Sequence, residues 1–179
     1  NDLTPANNYF QDQQWADKAS KLLNDYLWPI CHKLTSTRIH VIAHSMGARV
    51  LMNSLVDEHR VKLQQLFLIA PDIENEALEP GQPGQVLSDR FNQVTVFYAK
   101  DDLALRTSVL ANMVNKVVSR RLGQSGPEDP DRLPNNVTCI DCDTINYSID
   151  KIKGHSYFVA RKFKLTPVVS RIALSIRSS

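Results

Sequence analysis

Arg38-Ile39-His40-Val41-Ile42-Ala43-His44-Ser45-Met46-Gly47-Ala48-Arg49-Val50-Leu51 decides how this chain is read. A short apolar run meets a single serine held between small residues, and a helical pattern starts directly after it. That order predicts a strand, an abrupt turn and a helix, the recipe of a nucleophile elbow, which lifts a hydroxyl clear of the backbone. So tight a turn demands small residues two before and two after the serine. Ala43 and Gly47 meet that demand, although the first position is more often glycine. The free N–H groups of the following helix aim at the same spot, where they stabilise charge on a carbonyl oxygen. The N–H of Met46 is the predicted oxyanion donor. A serine at a helix start is also a common N-cap, and the apolar strand ahead of Ser45 is what favours the elbow.

Either side of this stretch the chain alternates. Residues 1 to 13 are polar and rich in Asn and Gln, and read as an irregular lead-in. Trp15, Ala19, Leu22, Leu23, Tyr26, Leu27 and Ile30 then recur at three- and four-residue spacing, which predicts one amphipathic helix with Trp15 and Tyr26 in the core. After the elbow, Val50, Leu51, Met52 and Leu55 carry a helix to about His59. Three further apolar runs follow: Leu66–Ala70 ending at Pro71-Asp72, Val94–Ala99 ending at Lys100-Asp101-Asp102, and Val137–Ile140 ending at Asp141-Cys142-Asp143.

Residues 74–90 read as an excursion with a short helix near Leu87–Phe91, and Gly123–Asn136, rich in Pro, Gly, Asp and Asn, reads as a loop. A helix between them buries Leu105, Val109, Leu110, Met113, Val114 and Val117. The last helix opens at Thr166 as cap with Pro167 in its first turn, and buries Val168, Val169, Ile172 and Ile176. Continuous apolar strands alternating with amphipathic helices predict an α/β fold, a mainly parallel sheet with helices on both faces. In such sheets chemistry gathers at the carboxyl ends of the strands, where this chain places Ser45, Asp72, Asp101, Asp102 and His155.

Composition narrows the alternatives. A chain of 179 residues reads as one domain, and a net charge of +2 lacks the dense basic face of a nucleic-acid binder. No apolar run is long enough to span a membrane. Three cysteines make no disulfide framework. Cys139 and Cys142 form a C-x-x-C, but no second pair completes a zinc site, so neither a metal nor an organic cofactor is expected.

A serine hydroxyl is a weak nucleophile and needs a base. Imidazole suits the role because its pKa lies near working pH, and a carboxylate then holds the ring in the right tautomer. Of five histidines, His155 is the one in a loop after the last strand, beside a glycine. His32 and His59 sit at helix ends, His40 lies within a strand, and His44 precedes the serine, lining the pocket or packing. Asp102 is the favoured acid, with Asp72 and Asp101 as alternatives. Its other role would be to cap the helix it opens.

His44-Ser45-Met46-Gly47, Ala70-Pro71-Asp72, Tyr98-Ala99 with Asp102-Leu103-Ala104-Leu105, and His155-Ser156-Tyr157-Phe158 together resemble a mostly bacterial branch of serine α/β hydrolases. That branch has long been catalogued as a domain of unknown function. The resemblance covers most of the chain from the first helix onward. It implies the α/β-hydrolase fold, with Ser45 as nucleophile, Asp102 as acid and His155 as base, acting on small-molecule or lipid esters in the manner of an esterase or lipase. One feature departs from the pattern. The second oxyanion donor of this fold comes from a loop after an early strand, often within a His-Gly motif, and only one helix precedes the elbow strand here. Residues 1–179 are therefore expected to be the C-terminal portion of a single α/β-hydrolase domain, lacking the early strands, with a missing N-terminal segment of the same protein as partner. A non-catalytic binding or assembly module, or an acyltransferase using the same residues, are the competing expectations.

Overall fold

β1 (His40–His44), β2 (Leu63–Ile69), β3 (Phe91–Tyr98) and β4 (Val137–Asp141) form one sheet in the order β1-β2-β3-β4, with every pairing parallel. The computed structural model describes residues 5–34, 38–55, 63–106, 119–149, 154–159 and 165–179, the side chains of 5–8 and 147–149 excepted. The four strands are the four apolar runs of the sequence. Because successive side chains on a strand point to opposite faces, a continuous run feeds two cores at once. Leu66 and Leu68 of β2 and Val94 and Val96 of β3 pack on one face with Trp28, Leu51 and Leu122. Phe67, Ile69 and Phe97 pack on the other with Leu105, Tyr157, Val168 and Ile172.

Parallel strands require crossovers, and these place helices on both faces. α3 (Gly47–Ser54) leads from β1 towards β2, and α4 (Gln85–Arg90) leads into β3. α5, described over 103–106, follows β3, and α7 (Asp143–Ile149) follows β4. α8 (Pro167–Arg177) closes the second face. Its Thr166 side chain accepts from the Val169 N–H, as the Thr-Pro signature predicts, with Val168 and Ile172 buried and Val169 and Ile176 partly so. β1 is an edge strand: among the described residues no strand lies on its outer side, and Ile42 there is 56% exposed.

The first helical segment corrects the sequence reading. It is three pieces: α1 (Pro5–Leu22), a π-helical turn (Leu23–Leu27) and α2 (Trp28–Lys33). Trp15 is 59% exposed and Tyr26 67% exposed, so neither is core, and Leu22, Leu27 and Ile30 are exposed as well. Ala16, Ser20, Trp28 and Cys31 are buried instead. Small Ala16 and Ser20 let α1 lie close over α3, where Arg49 and Asn53 both reach Asp17. The π turn uses more residues per turn, so beyond Leu22 a stripe spaced for a regular helix does not stay on the face it began on. Trp28, past that turn, swings inward and donates its indole N–H to Ser54 Oγ at 3.0 Å.

Two smaller corrections concern loops. Gly123–Asn136 is not wholly irregular, since α6 (Leu122–Ser125) and a 3₁₀ turn (Pro130–Arg132) fall at its start and middle. α7 falls where the sequence reading places no helix. The predicted continuations to His59 and through Val109, Leu110, Met113, Val114 and Val117 lie outside the described residues.

Candidate active site

Ser45 sits where β1 stops and α3 has not begun, with φ at 52°. A non-glycine residue in that left-handed region costs roughly 1–2 kcal/mol, and the neighbours hold it there. Its N–H donates to the Ile69 carbonyl at 3.0 Å, and its carbonyl accepts from the N–H groups of Ala48 (3.0 Å) and Asp72 (3.1 Å). The turn at the end of β2 is strained in the same way, with Ala70 at φ 45°. Gly123 abuts that turn so closely that a Cβ on it would lie 2.3 Å from the Ala70 carbonyl carbon.

Ala43 is buried as the elbow reading requires. Gly47 is not crowded: a Cβ built on it would meet nothing within 4 Å. The steric demand for a small residue there is absent because Gly47 borders open space. Met46 occupies the N-cap position of α3 in right-handed helical geometry. Among the described residues its N–H makes no backbone hydrogen bond.

Asp102 and His155 meet. The Nδ1–H of His155 donates to Asp102 Oδ2 at 2.6 Å, and Asp102 is fully buried. The other oxygen, Oδ1, accepts from the Leu105 N–H at 3.0 Å. One carboxylate thus caps α5 through one oxygen and meets the imidazole through the other. The short loop bearing His155 is tied down from several sides. Gly154 adopts φ +65°, and a Cβ on it would lie 2.3 Å from the Asp101 carbonyl oxygen. Tyr157, fully buried, donates its hydroxyl to the Phe97 carbonyl at 3.0 Å, and Thr166 Oγ1 donates to the Phe158 carbonyl at 3.0 Å.

His44 packs into this loop. Its ring lies between those of His155 (4.7 Å between centroids) and Phe158 (4.6 Å), and its Nε2 faces the His155 carbonyl at 3.4 Å. Burial, helped by the neighbouring His155 ring, holds the His44 pKa below the ordinary histidine value.

The two alternative acids differ: Asp72 lines the same cleft as Ser45 and His155, while Asp101 does not. Asp101 is exposed in the turn before α5. Asp72 is buried and paired with the equally buried Arg121 at 3.2 Å, and Arg121 also reaches Glu74 at 2.9 Å and the Tyr9 hydroxyl at 3.4 Å. Asp72 therefore ties the chain after β2 to the segment before α6. Arg121 escaped the sequence reading, since an arginine in a loop-like stretch carries no signal of burial.

Ser45, Met46, Asp72 and His155 line one cleft of about 470 Å³, closed on one side by α1. A larger polar hollow of about 660 Å³, around Glu76, Glu79 and Arg132, shares no lining residue with it, and its Glu79 is paired with Arg132 at 2.8 Å. Burial pushes the Cys139 thiol up to about 11 and Cys142 up to about 12, so both are protonated at neutral pH. Among the described residues no group of three or more His, Cys, Asp or Glu side chains is arranged to hold a metal ion, and no helix is long and apolar enough to cross a membrane.

An open parallel sheet, helices on both faces and a strained serine on a strand-to-helix turn define the class of α/β hydrolases. The chain belongs to a family described as "Alpha/beta hydrolase of unknown function (DUF900)", whose profile matches residues 4–171. Comparison with curated proteins and with solved structures found no significant match.

Proposed function

We propose that this protein is a serine hydrolase that cleaves carboxylic esters through an acyl-enzyme intermediate. The observation that carries this reading is the 2.6 Å hydrogen bond from His155 to buried Asp102, on the same cleft as a serine at φ 52°. In this scheme the Asp102 carboxylate fixes the proton on Nδ1, leaving Nε2 as the base. His155 Nε2 takes the Ser45 proton as Oγ attacks the ester carbonyl, and the Met46 N–H stabilises the oxyanion that forms. The imidazolium then protonates the departing alcohol, leaving Ser45 acylated. Water, deprotonated by the same histidine, releases the acid.

A fluorophosphonate probe tests the reading directly. Labelling of the folded protein that disappears in Ser45→Ala is the expected result. A folded, full-length protein that takes no label and turns over no ester would leave the non-catalytic module as the function. Transfer of the acyl group to an acceptor other than water uses the same residues, and appears as a second product when alcohols are added.

A further inference from the structure

Five residues of α1, Tyr9, Asp12, Trp15, Ala16 and Ala19, turn one helix face towards Ser45. Their spacing of three and four residues puts them on adjoining turns, along a wall roughly 15 Å long. The face is unequal along its length. Two alanines lie there, Ala16 buried and Ala19 partly so, and their small side chains leave space above Val50. Tyr9 is anchored through its hydroxyl to Arg121, and Trp15 is held from outside by Lys18, whose ammonium lies 4.4 Å from the ring. Opposite, Ala104, Leu105 and Asp72, whose carboxylate is paired with buried Arg121, close the cleft, and Gly47 leaves its floor open. Asp12 is the exposed charge on this wall, and it makes no ion pair among the described residues.

From this lining we infer that the cleft is the acyl site, and that the substrates are esters of uncharged, apolar, medium-length acids. The inference rests on the hydrolase reading above and adds which half of the ester lies against α1. An alkyl chain on the Ser45 ester carbonyl would lie along Ala19, Val50, Ala104 and Trp15, the lining side chains that still expose apolar surface, and remove that surface from water. Asp12 selects against acids carrying a second carboxylate, because two like charges would then share the cleft. The exposed apolar ring of Trp15 acquires a role here: it is the surface that the chain covers.

The test uses the full chain in two forms. With active protein, kcat/KM is measured for p-nitrophenyl acetate, butyrate, hexanoate and octanoate. Each methylene buried adds about fourfold, so hexanoate exceeds acetate on the order of a hundredfold. Ala19→Phe narrows the cleft and lowers the octanoate-to-acetate ratio at least tenfold. Asp12→Asn reduces the preference for a neutral ester over one ending in carboxylate by up to about fivefold.

With Ser45→Ala, ethyl octanoate is titrated while tryptophan emission is followed. Trp15 is exposed and Trp28 already buried, so binding shifts the emission to the blue, and Trp15→Phe abolishes the shift. A flat chain-length series, or a ratio unmoved by Ala19→Phe, in protein whose Ser45 labels with phosphonate overturns the acyl site and leaves the hydrolase standing. No label and no turnover, with the Trp15 shift retained, sinks the hydrolase and keeps an apolar ligand site. If the shift is also missing, both fall.

Discussion

Exchanging Asp102 for asparagine separates chemistry from stability at one buried position. Asp102 gives one oxygen to His155 Nδ1 and the other to the Leu105 N–H. An asparagine keeps its carbonyl on the cap but turns an N–H₂ towards His155. The imidazole must then accept at Nδ1 and carry its proton on Nε2, where it cannot take one from Ser45. A wrong tautomer costs about 10⁴ in rate, or about 5 kcal/mol of transition-state stabilisation. The fold loses only a charge-assisted bond, about 1 kcal/mol.

Asp102→Ala costs the same rate but more stability. A lost cap contributes about 1 kcal/mol, and the unpartnered histidine donor about 2 kcal/mol. At roughly 2–4 °C per kcal/mol, its Tm falls by about 6–12 °C. Asp72→Asn is the counterpart. It breaks a buried ion pair with Arg121, which costs about 3 kcal/mol of stability while the rate stays within about tenfold. The assays are the rate of fluorophosphonate labelling, hydrolysis of p-nitrophenyl butyrate and thermal melting. A 10⁴ loss in Asp72→Asn, beside a near-normal Asp102→Asn, would refute the assignment of roles from these contacts.

Three further outcomes are expected. Gly154→Ala forces a Cβ against the Asp101 carbonyl in a left-handed conformation, so it lowers labelling of Ser45 tenfold or more without touching a reacting side chain; an unchanged labelling rate would contradict the tight approach. His44, whose pKa is lowered in the folded state, binds its proton more readily when unfolded. Stability therefore falls as pH drops through about 6.5 towards the folded value, and His44→Phe flattens that limb of unfolding free energy against pH; an equal or steeper slope in the variant would count against it. Cys139 and Cys142, with thiols pushed up to about 11 and about 12, react with a disulfide reagent at pH 8 on the order of a hundredfold more slowly than in urea, and fast reaction of the native protein would show that burial has been misread.

Much of this molecule is written locally. The four strands are continuous apolar runs because each side of the sheet is covered, and such runs need no distant information to be recognised. The same is true of the Thr166-Pro167 cap and of the tight turn at Ser45, where small flanking residues and a strand-to-helix change lie within one stretch. The difference between Asp102 and Asp72 is less local. Both aspartates end apolar runs, and the resemblance of the motifs favoured Asp102. In the structure each carboxylate is bound by a basic residue from far along the chain, His155 for one and Arg121 for the other.

The sequence by itself determined the four apolar strands, their parallel sheet, the turn carrying Ser45 and a short set of acids and bases at the carboxyl ends of the strands. Tertiary structure alone decided which face of the first helix is inside: α1 buries Ala16 and Ser20 and leaves Trp15 and Leu22 outward, and the π turn then shifts the phase of the stripe beyond Leu22. It alone decided that Arg121 is buried and that His44 lies between His155 and Phe158, since both follow from contacts between segments distant in the chain. Periodicity reports which residues share a face; only packing selects the partner for that face, and α3 selected the side of α1 with the smallest side chains.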